Sequence, residues 1–195
     1  MAREGPEVVL VRHGETEWSL SGQHTGTTDI PLTDAGREQA RATGAALAGR
    51  EFALVLTSPL GRARETAELA ALGENAQVRE DLREWDYGEY EALTTADIRA
   101  GRPGWDLWRD GCPGGEMAAQ VGARVDRVIA EARAAAGDVA LFAHGHVLRV
   151  LGARWLGLPP ERGGSFGLST ATIGVLGHER ENPVVWLWND GAHLG

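Results

Sequence analysis

Short, wholly apolar runs alternate along the chain with longer stretches whose apolar positions recur at helical spacing. That alternation predicts a mostly parallel sheet covered by helices on both faces. Residues 8–11, Val-Val-Leu-Val, are the first strand; Thr33-Asp34 opens a helix running to about Ala48. Residues 52–57 form a second strand, followed by a helix from about Pro59 to Leu72 with proline in its favoured first turn. A short edge segment at 77–79 leads into a loop at 81–93. Residues 94–115, with Gly101, Pro103, Gly104, Pro113 and Gly114, read as a short lid-like excursion rather than a second domain. An alanine-rich helix at 116–136, a buried strand at 139–143 and a helix at 147–156 follow. Segments 172–176 and 184–188 close the sheet as a pair joined by Asn182-Pro183. No repeat or linker interrupts the pattern, so one α/β domain over 1–195 is expected.

Chemistry gathers where the strands end. Ligands of open α/β sheets sit outside the carboxyl ends of the strands, near helix N-termini. The first strand ends in Arg12-His13-Gly14, the second in Thr57-Ser58-Pro59 with Arg62 one helical turn later, and the strand at 139–143 in His144-Gly145-His146. A strand that delivers an imidazole beside a guanidinium places a nucleophile next to an anion clamp. More positive groups and one protonatable carboxyl would make a phosphoryl-transfer site.

Composition narrows the chemistry. All 19 basic residues are arginine, which removes Schiff-base lysines and the lysine of a P-loop. The net charge of −9 argues against a nucleic-acid or anionic-membrane partner, since both want a basic face. It is compatible with a small phosphate held by a local arginine cluster. Cys112 is the only cysteine, so an intrachain disulfide is impossible, and it reads as a spectator thiol. No apolar run reaches membrane-spanning length and no signal-like stretch follows the N-terminal basic residue, so a cytoplasmic location is expected.

Four ordered segments, Val11-Arg12-His13-Gly14-Glu15-Thr16, Thr57 to Ala63, Arg83-Glu84-Trp85-Asp86-Tyr87-Gly88 and Ala143-His144-Gly145, resemble the histidine phosphatase superfamily, also called phosphoglycerate mutase-like. The likeness spans about residue 8 to residue 150, and is nearest to the small actinobacterial acid phosphatases of that superfamily. It implies a three-layer α/β sandwich and a phosphohistidine mechanism without metal or organic cofactor. His13 would be the nucleophile. Arg12, Arg62 and His144 would hold the phosphate oxygens, with His144 acting as the imidazolium, its pKa raised by a neighbouring carboxylate or by the phosphate itself. Glu84 would protonate the leaving oxygen, although Glu80, Asp81, Asp86 and Glu89 compete for that role by position alone. Thr25, Gly26 and Gly145 would complete the phosphate cradle.

Departures from the family pattern bear on substrate. Ser19 stands where an asparagine is common, so its shorter hydroxyl is a weak phosphate ligand. His146 replaces a more usual glycine and reads as a polar helix-start residue rather than a metal ligand. Trp85, Trp105 and Trp108 read first as packing anchors, and otherwise as an apolar mouth. A cofactor-dependent mutase would need an enclosing insertion with extra basic groups. The insertion is short, and Arg124, Arg127 and Arg133 read as exposed helix positions, leaving Arg99, Arg102 and Arg109. Hydrolysis of a small phosphorylated metabolite is therefore preferred to a mutase, and both to a silent binding or dimerisation module. The 184–188 strand would offer an edge for a homodimer.

Overall fold

A computed structural model describes residues 4–195. Six strands form one mixed sheet in the order β3-β2-β4-β1-β5-β6: β1 (Glu4–Arg12), β2 (Leu54–Thr57), β3 (Ala76–Val78), β4 (Val139–Ala143), β5 (Ile173–Glu179) and β6 (Asn182–Asp190). β3, β2, β4 and β1 run parallel, whereas β5 is antiparallel to both β1 and β6. The helices are α1 (Glu17–Ser21), α2 (Asp34–Leu47), α3 (Gly61–Leu69), α4 (Thr95–Gly101), α5 (Leu107–Asp110), α6 (Ala118–Ala134) and α7 (Gly145–Trp155).

Alternate residues of β1 supply both faces of the sheet, as period-two geometry requires. Val9 and Val11 pack with Ala67 and Leu47 from α3 and α2 and with Ala70 just past α3; Val8 and Leu10 pack with Val125, Leu148 and Leu151 from α6 and α7. Burial on both sides explains why β1 and β4 read as unbroken apolar runs.

Three expectations change. The final hairpin turns at Arg180-Glu181, with Arg180 at φ 57°, while Asn182 and Pro183 already belong to β6. Pro183 is tolerated there because β6 is an edge strand. The second strand and the helix after it are shorter than the apolar run and its flanks suggested. The excursion is also no free lid: Ile98, Trp105, Leu107 and Cys112 are buried in the same core as α6 and α7.

Candidate active site

The carboxyl ends of β1, β2 and β4 lie side by side, and the ladder continues one residue past β1 and β2. The His13 N–H donates to the Ala143 carbonyl at 2.9 Å, and the Ser58 N–H to the Phe142 carbonyl at 2.9 Å. His13 and Ser58 therefore sit on rigid backbone, and His144 stands between the end of β4 and the start of α7. Gly14 turns the chain so closely against Gly36 of α2 that a side chain at either position would collide with backbone.

His13 is buried, and its Nδ1 lies 2.7 Å from the Gly14 carbonyl. A carbonyl only accepts, so Nδ1 carries the proton and Nε2 keeps its lone pair. Burial holds this imidazole well below the usual histidine value, with Arg12 and Arg62 adding to the effect and the Gly14 carbonyl opposing it. Arg12 donates from Nη1 to the Leu168 carbonyl at 2.6 Å. Its Nε–H is buried without an acceptor, the kind of orphaned donor that a ligand oxygen satisfies. Gly145 permits this approach: a Cβ there would meet the Arg12 guanidinium carbon at 3.3 Å.

His144 finds no charge partner of its own: Arg62 donates from Nε to its Nδ1 at 3.1 Å, so that nitrogen is an acceptor, and of the two expected sources of charge only a bound phosphate remains. Its Nε2–H then donates to the Ser58 hydroxyl oxygen at 2.7 Å. Burial, then Arg62, His13 and Arg12, hold this ring well below the ordinary histidine value. Among the described residues no carboxylate touches it, and both nitrogens are engaged within the protein. Its ring lies 5.1 Å from that of His13. Contact with phosphate requires Nε2–H to exchange Ser58 for a phosphate oxygen.

Arg62 is fully buried and uses four of a guanidinium's five N–H donors inside the protein: on His144, Thr28, Thr25 and Gly26. It fixes the 25–28 loop and contributes to phosphate chiefly as charge. Gly26 spends its N–H on Glu91 at 2.9 Å, and Thr25 its hydroxyl proton on the Gln23 carbonyl at 3.2 Å. Ser19 donates to the Thr16 carbonyl at 2.8 Å while accepting the Thr16 N–H at 2.9 Å, locking the cap of α1. The Ser19 hydroxyl, the Thr25 hydroxyl and the Gly26 N–H are thus engaged within the protein, while Ser19 and Thr25 line the cavity.

Glu84 is buried at the N-terminus of α7. Oε1 accepts the N–H groups of Trp85 and Val147, each at 2.9 Å, and Oε2 accepts that of His146 at 2.9 Å. One lone pair remains, on Oε2, and that is where a proton would ride. Glu80, Asp81, Asp86 and Glu89 do not line this cavity. Arg124 is a second correction. It is half-buried rather than solvated, gripping the carbonyls of Asp81, Arg83 and Glu84 while pairing with Glu116 at 2.9 Å. It pins the loop that carries Glu84.

A cavity of about 250 Å³ lies between these groups and a second set: Trp18, His24, Tyr87, His146 and Arg149. His146 Nδ1 is 2.7 Å from the Tyr87 hydroxyl, and His24 stacks on the Tyr87 ring at 4.7 Å. The Nε2 of His24 is buried without a partner. Trp85 and Trp105 are packing anchors whose indole N–H groups donate to the Glu116 and Gly111 carbonyls. Sequence reasoning did not single out His24 or Arg149. The signal for Arg149 was its position four residues after Gly145 on one helix face.

The sequence matches the Histidine phosphatase superfamily (branch 1) over residues 8–191. It is 46% identical to the acid phosphatase of Mycobacterium tuberculosis, over 88% of this chain and 86% of that protein. It is 40% identical to the sedoheptulose 1,7-bisphosphatase of Saccharomyces cerevisiae, over 78% of this chain and 68% of the relative. A solved structure of a Mycobacterium tuberculosis open reading frame superposes with a TM-score of 0.90 at 42% identity, covering 95% of this chain and 98% of that one. A mycobacterial glucosyl-3-phosphoglycerate phosphatase solved with VO3 gives 0.85 at 32% identity, covering 95% and 100%. The chain belongs to the histidine phosphatase superfamily, and by class it is a phosphoric monoester hydrolase. Among the described residues, no helix is long and apolar enough to cross a membrane.

Proposed function

We propose that the chain hydrolyses small organic phosphomonoesters through a phosphohistidine on His13, without a metal. The observation that carries this reading is the His13 tautomer: Nδ1–H is tied to the Gly14 carbonyl, so the Nε2 lone pair is available at neutral and mildly acidic pH. Nε2 attacks phosphorus and the ester P–O bond breaks. The leaving oxygen takes a proton from Glu84 Oε2, and Arg12 and Arg62 offset the charge on the phosphoryl oxygens. In the second half, water gives its proton to Glu84 and attacks phosphorus. The N–P bond breaks and its electron pair returns to Nε2.

The names of relatives favour phosphatase chemistry, although others of similar identity are bisphosphoglycerate-dependent mutases. Hydrolysis is supported by where the insertion's arginines go. Arg99 donates to the Trp105 carbonyl, and Arg102 and Arg109 face Asp110, so none of them lines the cavity.

The test is phosphate release from p-nitrophenyl phosphate and a panel of sugar phosphates, at pH 5 to 7 and with chelator present. Release that survives chelator and disappears in a folded His13→Ala variant is expected. Loss with chelator would overturn metal independence, and near-normal activity of His13→Ala would overturn the nucleophile.

A further inference from the structure

Two guanidiniums line the cavity, Arg12 and Arg149, and neither makes an ion pair with a carboxylate among the described residues. Arg12 serves the reacting phosphate in the mechanism above. Arg149 has no part in it. Gly145, which packs on Arg12, and Arg149 stand one helical turn apart on α7, with about 6 Å of rise between their backbones.

The guanidinium of Arg149 is built in place. Nε donates to the Gly163 carbonyl at 3.2 Å and Nη2 to the Gly164 carbonyl at 3.3 Å. Its plane lies over the Trp108 ring at 4.6 Å. Trp108 in turn rests so closely on Gly163 and Gly164 that a side chain at either would strike the indole. Nη1 takes part in none of these bonds. Such a preorganised fork, partly withdrawn from water, feels the Glu84 carboxylate across the cavity but touches no carboxylate among the described residues, which suits a ligand oxyanion.

We propose that Arg149 reads a second anionic group, a carboxylate or a further phosphate, on the alcohol part of the phosphomonoester. The inference rests on the phosphomonoesterase reading. It adds that the enzyme prefers esters whose alcohol part carries a second anionic group.

The test uses matched substrates. 3-Phosphoglycerate and glycerol 3-phosphate differ in a carboxylate against a hydroxymethyl group; fructose 1,6-bisphosphate and fructose 6-phosphate differ in a phosphate. Wild type is expected to favour the doubly anionic member of at least one pair, and which pair identifies the source of the second charge. Loss of one charge-assisted contact in Arg149→Gln should cut kcat/KM for that substrate by about 10- to 100-fold. The singly charged partner should change little, and Arg149→Lys should retain part of the discrimination. Equal losses on both members, or no preference in wild type, would overturn the proposal. Should Arg149→Gln fail to fold, added salt must weaken the doubly anionic substrate selectively in wild type. Calorimetric binding of both intact substrates to His13→Ala separates the two readings. A preference there without turnover by wild type would sink the phosphatase reading and keep Arg149; turnover without preference would do the reverse.

Discussion

The two ends of the cavity are built differently. At the phosphate end, Arg12, His13, Ser58 and His144 end or directly follow three parallel strands, and backbone ladder bonds fix the first three. At the far end, His24, Tyr87, His146 and Arg149 come from two loops and one helix. Ring contacts, one side-chain hydrogen bond and the Gly163–Gly164 carbonyls hold them. Strand ends give little positional freedom, which suits chemistry common to every ester. Loop-borne aromatics can be exchanged without disturbing the sheet, which suits selection among alcohol groups.

Glu84 joins the two ends, since its loop runs on into Tyr87 and its carboxylate receives the first N–H groups of α7. Glu84→Gln is the strongest test of the division. Removing a general acid costs about 10²–10⁴-fold on alkyl phosphates. p-Nitrophenyl phosphate, whose leaving group needs no proton, should lose far less. Comparable losses on both substrates would mean that Glu84 acts only by holding the start of α7.

That contrast also explains what could be read from the sequence. Strand-end residues lie within two positions of an apolar run, so Arg12, His13, Thr57, Ser58 and His144 were visible from pattern and motif together. Their hydrogen-bonding states were not. Whether His144 meets a carboxylate or the Arg62 guanidinium depends on contacts 82 residues apart. The same limit hid Gly26 as a partner of Glu91, 65 residues away, whereas the cap that Ser19 makes with Thr16 is local, three residues apart. Arg124 looked solvated because its helix is amphipathic. Only the fold shows that three carbonyls of the 81–84 loop reach over to it. His24 and Arg149 belong to no strand end; nothing local marked His24, and Arg149 was marked only by its place one helical turn after Gly145.

The buried imidazoles make the phosphate end sensitive to acid. His13 and His144 are both held well below the ordinary histidine value of 6.5, chiefly by burial. In the unfolded chain they would take up protons as pH falls through about 6.5. In the folded chain they resist until the depressed values are reached. The unfolded state therefore binds more protons in this window, and stability must fall as pH drops below about 6.5. Denaturant midpoints measured between pH 7.5 and 5.5, above most carboxylate titration, should decline on the acid side. The ring resonances of His13 and His144 should stay at their neutral positions over that range. Titration of either ring near 6.5 would contradict the neutral arrangement described above.

The smallest expected effect belongs to the far end. Burial pushes the Tyr87 phenol well above its usual value, and burial first, then Arg149, holds His146 well below its own. Both groups are thus uncharged near neutrality. The phenol's one hydrogen-bond partner is His146 Nδ1 at 2.7 Å, so its proton is satisfied only by donating there. That leaves the imidazole proton on Nε2, as a donor for the alcohol part of a substrate. Tyr87→Phe removes this control of the tautomer at a cost of about 1 kcal/mol in stability. Sugar phosphates should lose about two- to tenfold in kcat/KM, the worth of one neutral hydrogen bond. p-Nitrophenyl phosphate, with no hydroxyl to present, should be nearly unaffected. An equal loss on both would show that Tyr87 supports the phosphate end as well, and the division of the cavity into a reacting half and a reading half would fail at that residue.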